Sequence, residues 1–156
     1  MKILFFLLAI YSTSIFALDA LVIGVHDGDS ITIANTLKKV RIRNMDAPEL
    51  ANKSLKWGYQ PYANEAHDSL LKLCQGKIAT LSNIKPDIYK TRMDADVSCQ
   101  GYDVAQWQID NGFAWGYHYA PKKYKRMALT AKNKALGLWA QPAPIDPWAW
   151  RKNKLH

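Results

Sequence analysis

Two acidic stretches joined by a basic strand decide the fold of this chain. They are Val25-His26-Asp27-Gly28-Asp29-Ser30 and Val40-Arg41-Ile42-Arg43-Asn44-Met45-Asp46-Ala47-Pro48-Glu49. An Asp-Gly-Asp sequence alone is usually a turn, and an Asp-Ala-Pro-Glu sequence alone is usually a loop with solvated charge. Because residues 27–49 combine an acidic turn, a basic strand and a second acidic turn, we predict a site for chemistry on phosphoryl groups.

Hydrophobic alternation around the first acidic stretch predicts three strands. These cover Leu21 to Val25, Ser30 to Ala34 and Lys39 to Arg43. Asn35 and Thr36 are turn residues, so the second and third strands should form a hairpin. Such a hairpin would bring Asp29 and Asp46 together, which gives carboxylate oxygens for a Ca²⁺ ion and an arginine beside them for a phosphate.

The rest of the chain alternates between helical and strand patterns. Helices are predicted between Pro61 and Gly76, from about Asp103 to Asp110 and from about Lys122 to Leu136. Two further strands are predicted at Ile78 to Leu81 and Ala95 to Cys99, with an exposed polar loop from Lys85 to Thr91 and an irregular tail from Gln141 to His156. Five short strands with three helices indicate the α+β class, and a closed five-stranded oligonucleotide-binding (OB-fold) barrel would leave few exposed strand edges.

Residues 1–17 have the pattern of a signal peptide. A basic residue precedes an apolar run from Ile3 to Tyr11, and small and polar residues follow up to Ala17. The apolar run is too short to span a bilayer. We expect cleavage near Ala17, with Ala20 as the other candidate, and a secreted or periplasmic domain of residues 18–156 without a stable membrane anchor. An uncleaved N-terminal anchor is the alternative.

The mature chain should carry a net positive charge and a pair of bonded cysteines. Removal of residues 1–17 takes one lysine, so 20 basic side chains remain against 13 acidic ones, a formal net charge of +7. This charge favours a polyanionic partner, and composition alone leaves nucleic acid, acidic lipid and polysaccharide open. In an exported protein an even pair of cysteines is more often bonded than free, so Cys74 and Cys99 are expected to form a disulfide. A zinc site is not expected, because two cysteines alone do not supply its four ligands.

The two acidic stretches, and other segments in the same order, resemble the staphylococcal nuclease (thermonuclease) family. The further matching segments are Gly58 to Gly76, Gly101-Tyr102-Asp103-Val104, Gly112-Phe113-Ala114-Trp115, Gly137-Leu138-Trp139 and Pro147-Trp148-Ala149-Trp150-Arg151. The last of these is similar to the tail of exported bacterial members. The resemblance covers nearly all of the chain that follows the predicted signal peptide.

The resemblance implies a five-stranded barrel with three helices and a Ca²⁺-dependent enzyme that hydrolyses phosphodiester bonds of DNA and RNA, with single-stranded substrate preferred. By motif position, Asp29 and Asp46 would supply metal carboxylates and Ala47 a backbone carbonyl. Asp27 would lie close to the ion without binding it. We expect a monomer, since no long amphipathic surface in the sequence requires a partner.

The resemblance also assigns the reacting groups that phosphodiester hydrolysis needs, a base for the attacking water and positive charge over the phosphate. Glu49 falls on the water-activating position and Arg41 on the strand arginine that holds the phosphate. The family's second catalytic arginine lies in a Tyr-Gly-Arg turn, where this chain has Tyr89-Lys90-Thr91-Arg92, one residue longer and without the glycine. Arg92 keeps the family spacing to Ala95, so we assign the role to Arg92. An exposed loop arginine without a catalytic role is the alternative.

Three tyrosines are candidates for contact with the substrate. Tyr117 and Tyr119 precede the third helix and Tyr89 lies in the basic loop, so their rings could stack on bases and their hydroxyls could bind phosphate. Packing in the core or on the surface is the alternative for each of them.

Two other functional classes fit parts of the sequence. A barrel that binds nucleic acid without cutting it would keep the fold and the positive charge while losing the acidic and arginine positions. The chain retains Asp29, Arg41, Asp46, Glu49 and Arg92, which favours an enzyme. A basic protein that binds the cell envelope would explain the net charge and leave the carboxylates unexplained.

Overall fold

The computed structural model describes residues 17–51, 58–87 and 91–153. All of the predicted signal peptide except its last residue lies outside these ranges, so the signal peptide stays a prediction. Among the described residues, no helix is both long and apolar enough to cross a membrane.

The strands of the described residues close into a barrel. They are β1 (Leu18–Asp27), β2 (Ser30–Ile33), β3 (Lys39–Ile42), β4 (Met45–Asp46), β5 (Ile78–Pro86), β6 (Met93–Cys99), β7 (Tyr102–Asp103) and β8 (Trp115–Gly116). Hydrogen bonding follows the order β3-β2-β1-β5-β6, and a parallel pairing of β3 with β6 closes the ring. β7 extends this sheet beyond β6, and β4 pairs with β8 separately. The predicted five-stranded OB-fold barrel is confirmed.

Alternation along β2 and β3 separates the barrel interior from a polar face. Ile31, Ile33, Val40 and Ile42 are at most 1 % exposed, whereas the residues between them are only partly buried. Since successive side chains of a strand point to opposite faces, the apolar face fills the core and the other face carries Arg41. The two strands pair antiparallel, which confirms the predicted hairpin.

The described chain also contains four α-helices and one 3₁₀ turn. These are α1 (Ala63–Cys74), α2 (Val104–Asp110), α3 (Lys122–Asn133), the 3₁₀ turn (Gly137–Ala140) and α4 (Pro147–Asn153). The first three confirm the predicted helices, although α3 ends before the expected Leu136. Ala135 and Gly137 have left-handed backbone, with φ of 48° and 51°, and an α-helix does not continue through such residues.

The prediction of an irregular tail from Gln141 to His156 is wrong at α4. Asp146 Oδ1 accepts a hydrogen bond from the Ala149 amide at 2.8 Å, as the cap at a helix N-terminus does. Pro147 follows at the first helical position, where its missing N–H would have no partner within the helix. A helix of seven residues is too short to show a helical period by itself, and the Trp- and Pro-rich composition of the tail obscured the cap at Asp146.

The loop predicted from Lys85 to Thr91 is shorter than expected. β5 continues through Pro86 and pairs with the first residues of β6. Asp87 Oδ1 then accepts a hydrogen bond from the Thr91 amide at 2.8 Å, which links the described residues on either side of 88–90. Tyr89, a predicted substrate contact, lies outside the described ranges.

A disulfide joins the end of α1 to the end of β6. Cys74 and Cys99 are bonded, their Cα atoms are 5.5 Å apart, and both residues are fully buried. The bond fixes α1, whose apolar face includes Ala66 and Leu70, against the barrel wall. The predicted disulfide is confirmed.

Candidate active site

The two acidic turns meet in space. Asp29 lies in the tight turn between β1 and β2, and Asp46 lies on β4. The Ala47 amide donates to Asp29 Oδ2 at 3.2 Å, and the Ile42 amide donates to the Asp29 carbonyl at 2.8 Å. Only 4 % of Asp29 and 3 % of Asp46 is exposed. The hairpin therefore brings the two predicted metal carboxylates into one buried place.

A buried amide holds the first acidic turn against two helices. Gln108 of α2 is fully buried, and its Nε2 donates to the Gly28 carbonyl at 2.9 Å and to the Ala66 carbonyl at 2.8 Å. One side chain therefore ties the turn that carries Asp29 to both α1 and α2. The sequence analysis missed this residue, because helical spacing marks an interior position without naming its partners.

Arg41 links the two carboxylates. Its Nη2 lies 3.0 Å from Asp29 Oδ2 and donates a hydrogen bond to Asp46 Oδ1. Because both oxygens contact the same nitrogen, they lie close enough to share one small cation. The structure thus brings Arg41, Asp29 and Asp46 together, while their roles in catalysis stay predictions.

The electrostatics differ between the two aspartates of the first turn. Burial opposes ionisation of Asp29, but the Arg41 guanidinium and hydrogen bonds from its neighbours outweigh burial and lower its pKa. Burial and the adjacent Asp29 charge raise the pKa of Asp27 to about 7. Asp27 Oδ1 accepts from the Asp29 amide at 3.1 Å, so Asp27 supports the turn through the backbone.

Glu49 follows β4 and completes what we call the carboxylate cluster, made of Asp29, Asp46 and Glu49. Burial raises the pKa of the Glu49 carboxyl, and the Arg151 guanidinium opposes this effect without reversing it. The Glu49 backbone amide donates to the side-chain oxygen Oε1 of Gln60 at 3.0 Å, and the Gln60 backbone amide donates to the Glu49 carbonyl at 2.9 Å. Gln60 therefore fixes the backbone of Glu49.

Arg151 of α4 is another arginine at this cluster, and it was not among the residues that the sequence predicted for the site. Its Nη1 donates to Glu49 Oε1 and, at 3.2 Å, to Asp46 Oδ1, while its Nη2 donates to Asp46 Oδ2 at 2.9 Å. Burial disfavours its charge, but the contacts with the two carboxylates outweigh burial and raise the pKa of Arg151. The similarity of Pro147 to Arg151 to an exported tail was the available sequence signal, and it assigned no role.

A cavity of about 200 Å³ lies beside Arg41. Its lining also includes Arg92, Tyr117 and Tyr119. Tyr119 is 87 % exposed, and its ring meets the Tyr117 ring edge-on with centroids 5.7 Å apart. Arg43 also lines the cavity. An exposed ring beside guanidinium groups is suited to stack on a base whose phosphate the arginines contact. The structure therefore brings four of the predicted site residues to one cavity.

Arg92 reaches this cavity and pairs with acids outside the carboxylate cluster. Its Nε lies 3.5 Å from Asp94 Oδ1 and 3.9 Å from Asp87 Oδ2. Asp87 Oδ1 also accepts from the Arg92 amide at 3.3 Å. Asp87 therefore holds the backbone of Thr91 and Arg92 just before β6.

The donor atoms of the carboxylate cluster suit a hard divalent cation. All are oxygens, which Ca²⁺ prefers as ligands. In the described ranges, no group of three or more His, Cys, Asp or Glu side chains is arranged to hold a metal ion by itself. Asp29 and Asp46 would therefore need backbone and water oxygens to complete the coordination, and Ala47 is a backbone neighbour of this pair. Two carboxylates with such additional oxygens fit a calcium ion.

Comparison with known proteins identifies the family of this fold and site. The family described as Staphylococcal nuclease homologue matches residues 39–141. The chain belongs to the staphylococcal nuclease family. An Escherichia coli protein named uncharacterized endonuclease is similar, with 31 % identity over 137 residues, which cover 85 % of this chain and 84 % of that protein.

Plant members of the staphylococcal nuclease family are similar over a smaller share of their own length. Staphylococcal-like nuclease CAN1 of Arabidopsis thaliana is 35 % identical over 118 residues, which cover 74 % of this chain and 34 % of the plant protein. Probable staphylococcal-like nuclease CAN4 of Oryza sativa subsp. japonica is 36 % identical over 121 residues, 74 % of this chain and 22 % of that protein. The match to this chain therefore spans 34 % and 22 % of the length of these two plant relatives.

The staphylococcal nuclease match begins at β3 and ends before α4. Arg41, Asp46 and Glu49 lie inside the matched residues 39–141, whereas Asp29 and Arg151 lie outside them. α4 contributes a guanidinium to a cluster whose other residues come from the barrel strands and the turns and loop that follow them.

Proposed function

We propose that this member of the staphylococcal nuclease family is a secreted, Ca²⁺-dependent nuclease that hydrolyses phosphodiester bonds of DNA and RNA. The observation that carries the proposal is the shared contact of Arg41 with Asp29 and Asp46, next to Glu49. It joins two candidate metal ligands, a guanidinium for phosphate and a base in one buried cluster. The Escherichia coli relative is named an endonuclease and the plant relatives are named nucleases, which supports the same activity.

The proposed reaction is attack by water on the phosphorus atom, with cleavage of the bond to the leaving oxygen. Glu49 accepts the proton of the attacking water. Arg41 donates to a phosphoryl oxygen as negative charge develops there, and Arg92 donates to another from the same cavity. The guanidinium groups act because the charge that they stabilise is larger in the transition state than in the bound substrate.

Calcium would be held by the carboxylates of Asp29 and Asp46 and the carbonyl of Ala47. When bound, the ion supplies positive charge that polarises the phosphate and the water. Asp27 supports the Asp29 turn. Two carboxylates and a carbonyl make a site of low negative charge, so we expect a dissociation constant of about 10⁻⁴ to 10⁻³ M, as in other extracellular calcium sites.

Single-stranded nucleic acid is the proposed substrate form, cut by a monomeric enzyme. An unpaired base can reach the exposed Tyr119 ring, whereas a base inside a duplex is stacked on its neighbours. Tyr117 and Tyr89 are the further candidates for base or phosphate contact. The formal charge of +7 that remains without residues 1–17 adds attraction to the phosphate backbone that does not depend on sequence.

The test is hydrolysis of heat-denatured DNA, native DNA and RNA by the purified chain without residues 1–17. We expect cleavage with Ca²⁺, faster on denatured than on native DNA, and no cleavage in excess chelator. Asp46→Asn keeps the side-chain shape and removes a ligand charge, so it should bind DNA without cutting it. Binding without cleavage by the unaltered chain would instead support a non-catalytic barrel. Export is tested separately, since protein recovered outside the cytoplasm should begin at Leu18.

A further inference from the structure

The guanidinium of Arg151 binds two carboxylates of the carboxylate cluster at once. It spans both carboxylate oxygens of Asp46 and one carboxylate oxygen of Glu49. The side chain is 24 % exposed, and the side chain of Glu49 is 19 % exposed. A planar fork of donors fixes the orientation of the carboxylates that it binds, which a point charge does not.

The tail that carries Arg151 is anchored to the loop that carries Glu49. Gln60 is 3 % exposed, and its Nε2 donates to the Ile145 carbonyl at 2.6 Å. The Oε1 atom of the same side chain accepts from the Glu49 amide at 3.0 Å. Asp146 caps α4 directly after Ile145. The Gln60 side chain therefore bonds both to the backbone of Glu49 and to the residue before the cap of α4. These two bonds fix the position of α4, and so of Arg151, relative to Glu49.

We propose that Arg151 is a positioning residue that orients the carboxylate of Glu49 beside Asp46. The inference rests on the proposed function, in which Glu49 accepts the proton of the attacking water. Arg151 acts on the reaction through Glu49 and does not bind the substrate phosphate. The cavity lining in the described ranges contains Arg41, Arg43 and Arg92 but not Arg151. Of these lining arginines, the proposed function places Arg41 and Arg92 on the phosphate.

The first measurement compares Arg151→Met with Lys152→Met in the mature chain. Methionine keeps the length of the stem and suits a helix, so each variant removes one positive charge from the same turn of α4. Lys152 is exposed and lies over the Trp148 ring, 5.2 Å from its centroid. We expect kcat at saturating Ca²⁺ to fall about 10- to 100-fold in Arg151→Met, as when an orienting partner is lost. In Lys152→Met it should change less than about twofold.

The second measurement separates positioning from phosphate binding without turnover or calcium. The fluorescence anisotropy of a labelled single-stranded oligonucleotide gives the affinity for DNA in excess chelator. Because both variants lose one charge from neighbouring positions, a positioning role for Arg151 predicts equal affinity for Arg151→Met and Lys152→Met. Weaker binding by Arg151→Met than by Lys152→Met would identify a phosphate ligand and overturn the proposal.

The third measurement is a double-mutant cycle with Glu49→Gln. If Arg151 acts through Glu49, adding Arg151→Met to Glu49→Gln lowers kcat no further, because the glutamine cannot accept the proton. Effects that multiply would overturn the proposal. Arg151→Lys keeps charge and stem, so it supplies folded protein if Arg151→Met unfolds. Its kcat should also fall, by about tenfold or more, since an ammonium group is a point charge that does not reproduce the planar fork on Asp46 and Glu49.

Cleavage of denatured DNA with Ca²⁺ distinguishes failure of the proposed function from failure of the role of Arg151. An unaltered chain that does not cut denatured DNA with Ca²⁺ would overturn both the proposed function and the role of Arg151. Cleavage by the unaltered chain, together with a folded Arg151→Met variant of unchanged kcat, would overturn only the role of Arg151.

Discussion

Gly28 lies so close to Ala47 that a Cβ atom on Gly28 would stand 2.7 Å from the Ala47 Cβ, and equally close to the Ala66 Cβ. No side chain fits at that distance, so the turn that carries Asp29 requires glycine at this position. The two metal-binding candidates Asp29 and Asp46 are therefore brought together by close packing between the first acidic turn, the segment after β4 and α1.

Gly28→Ala should lower both stability and activity. The added methyl group forces the turn away from Ala47 and α1, at a cost of about 1–3 kcal/mol for overpacking. It also displaces Asp29 from Asp46, so cleavage should fall. Urea unfolding followed by tryptophan fluorescence measures the free energy of unfolding. Gly24→Ala, on the strand that precedes the turn, is the control, because its Cβ would meet the Thr32 Cβ at an ordinary 3.8 Å. Equal free energies of unfolding for the two variants would contradict the close contact.

Calcium should stabilise the folded chain in the absence of nucleic acid. A ligand that binds only the folded state adds about 2.7 kcal/mol at 100 times its Kd. The melting temperature should therefore rise with Ca²⁺ and return with chelator. Asp29→Asn should abolish this rise, whereas Asp68→Asn, at an exposed acid on α1, should keep it. The same calcium shift in both variants would remove Asp29 from the metal site.

The part of the site that the sequence predicted lies on elements with strong local signals. Arg41 and Asp46 belong to one strand and the short strand after its turn, so a correct strand assignment fixes their relative positions. Asp29 joins them because β2 and β3 form a hairpin, and turn residues at Asn35 and Thr36 mark that hairpin. Hydrophobic periodicity and turn residues are signals that extend over only a few residues. The contacts among Asp29, Arg41 and Asp46 depend mainly on such signals.

Arg151 and Gln108 could not be predicted in this way. Arg151 meets Glu49 across 102 residues of sequence, and Gln108 meets Gly28 across 80. Contacts of such separation depend on how whole elements pack. Neither side chain belongs to a periodic pattern that would name its partner. α4 was missed for a different reason. Its capping residue Asp146 is a local signal, and the Trp- and Pro-rich composition of the tail obscured it.

Loss of the Cys74–Cys99 disulfide should lower stability and leave the chemistry unchanged. The bond closes a loop with a sequence separation of 25, which corresponds to about 3 kcal/mol in the chain-entropy model. A Cys74→Ala, Cys99→Ala double variant should therefore melt at a lower temperature than the unaltered chain, while its kcat at about 25 °C stays the same. Reductant should lower the melting temperature of the unaltered chain and not that of the double variant. Equal melting temperatures without reductant would show that the bond adds nothing.

Arg41→Ala should lower kcat by about 100-fold or more, because it removes a preorganised donor to the charge of the transition state. Cleavage of denatured DNA at saturating Ca²⁺ measures the loss, and circular dichroism checks that the variant is folded. Lys85→Ala removes one positive charge from an exposed position on β5 and should keep its kcat. A similar loss in both variants would show that general electrostatic attraction, and not the position of Arg41, sets the rate.

Loss of Arg92 should lower kcat as much as loss of Arg41 if the guanidinium of Arg92, whose backbone Asp87 holds, contacts the phosphate. Arg92 lines the same cavity as Arg41, yet its Nε lies near Asp94 and Asp87, so these pairings must be compatible with substrate binding. Arg92→Ala should then lower kcat about as much as Arg41→Ala, and Arg92→Lys should also fail, because an ammonium group lacks the planar fork. A folded Arg92→Ala variant that keeps most of its kcat would show that Arg92 is an exposed arginine paired with local acids, and that Arg41 alone contacts the phosphate.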